Sequence, residues 1–163
     1  MKKTSVLIVI LMAVLSFLPG CGDTNCPLTT IALARFDFVD SHTHAPVSLT
    51  NGATVTGLVT VNDSLDVDTV FNQAQNYMSV PLSYTNRTTY VIHYTELMRD
   101  TIEVVHKNTP FVSDIECSPM MFYQVEEIRY TTNALDSVTL TNPNITNEEK
   151  TNFYIYYRAS DAG

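Results

Sequence analysis

The chain has 163 residues and a formal net charge of −8 at pH 7, from 17 acidic and nine basic side chains. An acidic chain without a basic stripe argues against nucleic acid as a partner and against electrostatic attachment to anionic lipid. With 16% charged residues and nine tyrosines, the composition is that of a folded protein rather than a disordered one.

The start of the chain has the layout of a secretory signal peptide. Two lysines form a positive n-region, and the apolar run 6–18 is shorter than the roughly 20 residues that a membrane-spanning helix needs. Cys21 follows a small residue, an arrangement that resembles the signal of bacterial lipoproteins, in which the cysteine sulfur receives diacylglycerol. We therefore expect residues 1–20 to be removed and Cys21 to carry the lipid anchor. An uncleaved membrane anchor is the alternative interpretation of the same run.

The three cysteines divide into one anchor and one candidate pair. If Cys21 carries lipid, Cys26 and Cys117 remain, and the oxidising environment outside the cytoplasm permits a disulfide between them. A bond that closes a loop of this length contributes at most about 4–5 kcal/mol in the chain-entropy model. Two separate buried thiols are the alternative.

From residue 29 onward, apolar residues recur with a period of two, which predicts strands rather than helices. The predicted strands lie at residues 30–38, 53–61, 65–71, 77–85, 88–96, 100–107, 120–131, 137–141 and 152–158. The strands 77–85, 88–96 and 100–107 are predicted to form an antiparallel meander. Pro81 cannot donate a ladder hydrogen bond, so its strand is predicted to be an edge strand or to contain a bulge. The strand 120–131 keeps no single phase, which predicts a bulge near residues 124–126.

This pattern predicts an all-β fold, a single antiparallel β-sandwich of Ig-like class with about eight or nine strands. A small barrel is the alternative. The domain is expected to span residues 29–163, after the signal peptide 1–20 and an anchor and short linker at 21–28.

No catalytic constellation is recognisable, because the chain contains none of the common nucleophile or metalloprotease motifs. His42 and His44 are weak metal candidates, since alternate residues of a strand face one side. No acidic or cysteine partner lies at ligand spacing, so a solvated loop is the preferred interpretation, with no metal and no cofactor. His106 falls on an apolar face near a strand end, where a partly buried imidazole with satisfied hydrogen bonds is expected.

The C-terminal strand presents an aromatic row. Tyr154 and Tyr156 share one face of it, opposite Phe153 and Ile155. If the two tyrosines are exposed, they can stack on sugars or contact a protein partner. If they are covered, they belong to the core, which is the commoner outcome for tyrosines this dense.

Several turn-and-strand motifs carry a resemblance to a known family. The runs Asp100–Val104, His106–Pro110 and Leu135–Val138 resemble an uncharacterised family of small Bacteroidetes lipoproteins, domain of unknown function 6452. The resemblance covers most of the mature chain and implies an exported, β-rich lipoprotein. It implies no catalytic residue. Residues 22–25 lack the acidic run that resembles a surface-export signal in this phylum, which favours the periplasmic face of the outer membrane over the cell surface.

A short pattern of Asp, then Ser or Thr, then an aliphatic residue occurs four times. It resembles the O-glycosylation sequon of exported Bacteroidetes proteins. Sugar would then be attached at Ser64, Thr69, Thr101 or Ser137. A turn followed by the start of a strand is the preferred interpretation of the same pattern.

The sequence thus predicts a non-enzymatic lipoprotein, anchored in the outer membrane, that serves as a binding or structural accessory to envelope proteins or glycans. A carbohydrate-binding module that uses Tyr154 and Tyr156 is the alternative.

Overall fold

The structure is a computed structural model of the chain. It describes residues 26–48, 54–61, 64–71 and 76–158, with the ranges 54–61 and 64–71 described by their backbone. The predicted signal peptide 1–20 and the predicted lipidation site Cys21 lie outside the described residues.

The described residues form ten strands in two sheets and contain no helix. The strands are β1 (Leu33–Asp40), β2 (Thr54–Val61), β3 (Ser64–Phe71), β4 (Tyr77–Pro81), β5 (Arg87–His93), β6 (Arg99–Phe111), β7 (Met120–Tyr130), β8 (Leu135–Leu140), β9 (Asn144–Ile145) and β10 (Phe153–Tyr157). One sheet has the order β4-β1-β10-β8, and the other has the order β3-β2-β5-β6-β7-β9. The predicted all-β sandwich is therefore confirmed.

The core lies between the two sheets and follows from the alternation along the strands. In β1, Phe36 and Phe38 are buried while the intervening Asp37 is half-buried on the outer face. Phe36 stacks on Phe153 of β10 with ring centroids 4.3 Å apart, and it meets the edge of Tyr90 from the facing sheet at 5.7 Å. Such aromatic pairs contribute about 0.5–1.5 kcal/mol beyond the area they bury. These contacts join the two sheets at their centre.

One strand pair of the four-stranded sheet is parallel. Phe36 of β1 pairs with Phe153 of β10 in parallel register, whereas the other described strand pairs are antiparallel. Asn152 fixes this register, because its backbone N–H donates to the Arg35 carbonyl at 3.0 Å and its side-chain oxygen accepts from the Arg35 N–H at 3.1 Å. The Asn152 amide also donates to the carbonyls of Asn142 and Asn144, each at 3.1 Å. One buried side chain therefore joins β1, β10 and the turn before β9.

Two local predictions are confirmed. Pro81 ends β4, which is an edge strand. In β7, Glu127 pairs with Val105 while Val125 pairs with His106, so Glu126 is the extra residue of a bulge. Both features have local causes in the backbone, so the sequence alone is sufficient to predict them.

The predicted meander is wrong at its first connection. β4 pairs with β1 in the four-stranded sheet, whereas β5 and β6 form an antiparallel pair in the other sheet. Residues 82–86 therefore cross between the sheets instead of closing a hairpin. The physical reason is that a period of two identifies the buried face of a strand but not the sheet to which the strand belongs.

Candidate ligand groove at the disulfide end

A disulfide joins Cys26 to Cys117 across 5.4 Å between their Cα atoms, which confirms the predicted pair. Cys117 lies in the loop 112–119 that connects β6 and β7. The bond fastens the segment 26–32, just before β1, to that loop. We call this part of the molecule the disulfide end; it comprises residues 26–33, the crossing 82–86 and the loop 112–119 with the strand ends beside it.

An open groove of about 520 Å³ lies between the two sheets at the disulfide end. Its lining comes from residues 30–32, from residues 81, 82 and 84, and from the paired ends of β6 and β7, including Pro110, Met121 and Tyr123. Small-molecule sites in proteins have volumes of roughly 300–1,000 Å³. The groove is therefore large enough for an apolar ligand or for several side chains of a partner.

The lining of the groove is mostly apolar. Three prolines contribute no backbone N–H group, and the two methionines are polarizable side chains that adapt to irregular ligands. Tyr123 is buried and its hydroxyl donates to the Leu82 carbonyl at 3.4 Å. Burial raises the pKa of Tyr123 above its ordinary value, so its phenol stays neutral. The lining residues include no carboxylate, amine or imidazole.

A buried histidine packs against Tyr123, one of the residues that line the groove. The His106 ring is fully buried and packs edge-on against Tyr123 with centroids 5.2 Å apart. Its Nδ1 lies 2.7 Å from the Asn108 side-chain oxygen, and its Nε2 lies 2.8 Å from the Thr88 hydroxyl. The Asn108 amide nitrogen donates to the Tyr84 carbonyl at 2.7 Å, which leaves the Asn108 oxygen as the acceptor for His106. The neutral ring therefore carries its proton on Nδ1 and accepts from the hydroxyl at Nε2.

This network ties the crossing 82–86 to the six-stranded sheet. Asn108 also donates to the Thr85 carbonyl at 2.9 Å, and Thr88 accepts from the Ser83 backbone N–H at 2.9 Å. Burial lowers the pKa of His106 below its ordinary value, and this effect outweighs the opposing effects of the Asn108 hydrogen bond and of Glu126. The hydrogen-bonded imidazole expected on this face is thus confirmed, and it is fully rather than partly buried.

The predicted aromatic row lies on the outer face of the four-stranded sheet. Tyr154 and Tyr156 are half-buried, with ring centroids 6.4 Å apart. Tyr154 pairs in register with Asp37 of β1, which pairs in turn with Tyr77 of β4. The Arg35 guanidinium lies 4.1 Å from the Tyr77 ring centroid and donates to the Asp37 carboxylate at 2.8 Å. We call Tyr77, Tyr154 and Tyr156 the tyrosine face.

The two candidate metal ligands lie in a turn after β1. His42 and His44 are both exposed, and His44 has a φ of 57°, which is left-handed backbone. The Asp40 carboxylate accepts hydrogen bonds from the backbone N–H groups of Thr43 and His42 and from the Thr43 hydroxyl, and these bonds lower the pKa of Asp40. The His44 ring contacts Tyr156 edge-on at 5.5 Å. Within the described ranges, no group of three or more His, Cys, Asp and Glu side chains is placed to hold a metal ion.

Two of the four candidate glycosylation sites have described side chains. Thr101 is half-buried in β6, and Ser137 is half-buried in β8, where it pairs in register with Tyr156. Ser64 and Thr69 lie on β3, and their side chains are outside the described part of the chain. Each of these two hydroxyls therefore directly follows an Asp that is the second residue of its strand.

The Asp before Thr101 has a structural role that the sequence did not indicate. Asp100 is fully buried, and its carboxylate accepts from the Thr131 hydroxyl and the backbone N–H groups of Asn133, Ala134 and Leu135 at 2.6–2.9 Å. Burial raises the pKa of Asp100, but these four donors outweigh it and the net pKa is lowered. The Asp100 carboxylate does bind a turn, as the preferred interpretation of the pattern expects, but that turn lies more than thirty residues further along the chain.

Sequence reasoning also missed the groove. Its lining joins three segments that are far apart in the chain, and no periodic pattern relates them. One usable signal was the placement of Pro81, Pro110 and Pro119 at or near strand ends, since proline interrupts a ladder where a sheet opens.

Comparison with known proteins identifies a family but no activity. No curated protein and no solved structure matches the chain. The described ranges contain no helix that is long and apolar enough to cross a membrane. The sequence profile of DUF6452, a family of unknown function, matches residues 52–157, which is more than half of the chain. The match begins after β1, although β1 lies between β4 and β10 in the sheet. On this match the chain belongs to the DUF6452 family.

Proposed function

We propose that this protein is an exported lipoprotein, anchored to the outer membrane through Cys21, that acts as a non-enzymatic binding accessory of the cell envelope. The observation that carries the binding role is the apolar groove, whose lining has no group that titrates near neutral pH. The groove takes the apolar part of an envelope component. The position of the groove supports an anchor at Cys21, because Cys26, five residues after Cys21, is bonded at the same end of the sandwich.

The anchor is tested by intact-mass analysis of the protein isolated from its native membrane. The mature chain is expected to begin at Cys21 with diacylglycerol on the sulfur and with the Cys26–Cys117 bond intact. A Cys21→Ser variant is expected to leave the membrane fraction. An unmodified Cys21, or a variant that fractionates like the native protein, contradicts the proposal.

The groove is tested with the apolar fluorophore 1-N-phenylnaphthylamine and the mature chain, residues 21–163 with Cys21→Ser, which lacks both the lipid and the apolar run 6–18 and therefore needs no detergent. Met121→Lys places an ammonium group in the lining and is expected to weaken binding by about tenfold or more, because an apolar ligand would desolvate the charge. Met98→Lys is the matched control, since Met98 is exposed in the loop 94–98, away from the groove. Equal affinity in the two variants counts against the groove as the binding site.

A glycan-binding role is a second candidate, favoured by the tyrosine face. Tyr77, Tyr154 and Tyr156 are half-buried aromatic rings beside the charged Arg35 and Asp37, a combination that can stack on a sugar and bond its hydroxyls. A glycan array compares the native protein with Tyr154→Ala and with the control Tyr130→Ala, since Tyr130 is exposed and lies outside the groove and the tyrosine face. A sugar signal that only Tyr154→Ala abolishes supports this role, and the absence of any sugar signal ends it.

A further inference from the structure

Exposed apolar side chains are unevenly distributed between the ends of the sandwich. Ten large apolar side chains are exposed among the described residues. Three of them, Leu97, Met98 and Tyr130, lie at the end opposite to the disulfide. The other seven lie at the disulfide end: Leu28, Ile31, Leu33, Tyr84, Phe111, Val112 and Ile115. Monomeric soluble proteins rarely leave large apolar patches open to water, so this concentration indicates a contact surface.

The disulfide gathers these side chains into one rim. Leu28 and Ile115 are each two residues from a bonded cysteine, and both are almost fully exposed. Phe111 stacks on Phe122 with ring centroids 4.7 Å apart. Ile31 and Tyr84 line the mouth of the groove. We call these exposed residues the apolar rim: Leu28, Ile31, Tyr84, Phe111, Val112 and Ile115.

The length of chain before Cys26 determines which end can lie near an anchor. Cys26 lies five positions after Cys21, and an extended chain over that distance spans about 17 Å. β6 runs from the opposite end to the disulfide end over 13 residues, or about 40 Å. A lipid on Cys21 therefore holds the apolar rim, and not the loop 94–98, beside the bilayer. Such a tether keeps the rim at a high effective concentration at the membrane, so that shallow apolar contacts are sufficient.

We propose that the apolar rim is a membrane-contact surface on which the sandwich stands, with its side chains at the lipid–water interface and the loop 94–98 in water. The occupant is the bilayer that carries the anchor, so the inference rests on the proposed function. The exposed carboxylates Asp114 and Glu116 flank Ile115 and remain on the water side of the interface. The contact is therefore apolar and does not depend on attraction between opposite charges.

Single-tryptophan variants test the orientation directly, because the chain contains no tryptophan. Ile115→Trp reports from the rim and Leu97→Trp from the opposite end; the two native side chains are 95% and 98% exposed, so neither change disturbs the core. The acylated full-length mature protein is reconstituted in vesicles of phosphatidylethanolamine and phosphatidylglycerol with brominated acyl chains. Emission from the Ile115→Trp variant is expected to shift to the blue and to be quenched by about twofold or more, because interfacial groups lie within 5–10 Å of the acyl boundary. Leu97→Trp emission is expected to match that in unbrominated vesicles.

Three results overturn the inference: no quenching at position 115, equal quenching at both positions, or a blue shift at position 115 without quenching, which means that protein covers the rim. Val112→Trp is a second reporter on the same loop if Ile115→Trp does not fold. The mass of Cys21 and the flotation of the vesicles are measured in the same sample. A chain that is acylated and floats but is not quenched refutes only the membrane contact, whereas an unacylated chain that does not float refutes the proposed function and the inference with it.

Discussion

The two ends of the sandwich are closed by different chemistry. At the disulfide end, a covalent bond and the neutral His106 ring hold loops whose outer side chains are apolar. At the opposite end, the ionised carboxylate of Asp100 holds the turn 131–134. Among the described residues, the disulfide end thus exposes seven large apolar side chains and the opposite end three. The groove and the apolar rim therefore belong to the disulfide end and not to the surface as a whole.

The two buried groups also respond to acid in different ranges of pH. The folded-state pKa of His106 lies below its ordinary value of 6.5, so its contribution to stability is complete above that pH and is lost as the pH falls below it. The folded-state pKa of Asp100 lies below its ordinary value of 3.8, so its contribution persists until the pH falls past that value. The disulfide end is therefore expected to loosen first in acid.

Removing the charge of Asp100 is expected to have the largest effect. Asp100→Asn places an amide NH₂ where a carboxylate oxygen now accepts two hydrogen bonds, which leaves buried donors facing each other. The expected loss in the free energy of unfolding is about 3–5 kcal/mol, measured by urea denaturation. Asp136→Asn is the control, because Asp136 is exposed and its pair with Arg158 is worth about 0.5 kcal/mol. Similar losses in the two variants refute this account of the Asp100 turn.

Removing the disulfide is expected to cost less and to act on one end. The double variant Cys26→Ala, Cys117→Ala loses the loop constraint, for an expected decrease of about 2–4 kcal/mol in the free energy of unfolding. Amide hydrogen exchange is expected to rise in residues 26–33 and 112–119, while the turn 131–134 keeps its protection. A uniform rise along the chain means that the bond stabilises the whole fold and not its end.

The features that the sequence predicted well are those whose physical causes lie in neighbouring residues. The alternation of Phe153 and Ile155 with Tyr154 gave the inner and outer faces of β10, and Pro81 gave an edge. The cysteine count gave the disulfide once Cys21 was assigned elsewhere. In each case the physical cause, whether the pleat, a missing N–H group or a leftover thiol, acts within a few residues or through simple counting.

The features that the sequence did not predict depend on pairs of distant segments. Nothing near Asp100 indicates that its partners are the amides of residues 133–135. Likewise, the placement of β4 beside β1 is decided by which sheet offers an open edge, and alternation is the same in either sheet. The groove depends on the second of these pairings, since its lining joins the end of β4 to the ends of β6 and β7. Tertiary pairing of this kind is not contained in local pattern.

The acid response of the disulfide end gives the smallest expected effect and the sharpest comparison. Between pH 7 and pH 5 the Ser83 amide, which donates to the hydroxyl that His106 binds, is expected to lose exchange protection after correction for intrinsic rates. The Ala134 amide, which donates to Asp100, is expected to keep its protection. The reason is that an opening that exposes His106 lets the ring take a proton once the pH is below its ordinary pKa, which favours the open state, while Asp100 stays ionised.

His106→Gln removes the titrating ring and is expected to cost about 1 kcal/mol at pH 7.5 through the altered bond to Thr88. It is also expected to flatten the pH dependence of Ser83 protection, whereas the exposed His42→Gln leaves that dependence as in the native protein. Glu126 and Tyr123 also lie close to the His106 ring. Glu126→Gln is therefore measured alongside the two histidine variants to separate the effect of that carboxylate. If Ser83 and Ala134 lose protection together in the native chain, the two ends are coupled, and the acid response belongs to global unfolding rather than to the crossing 82–86.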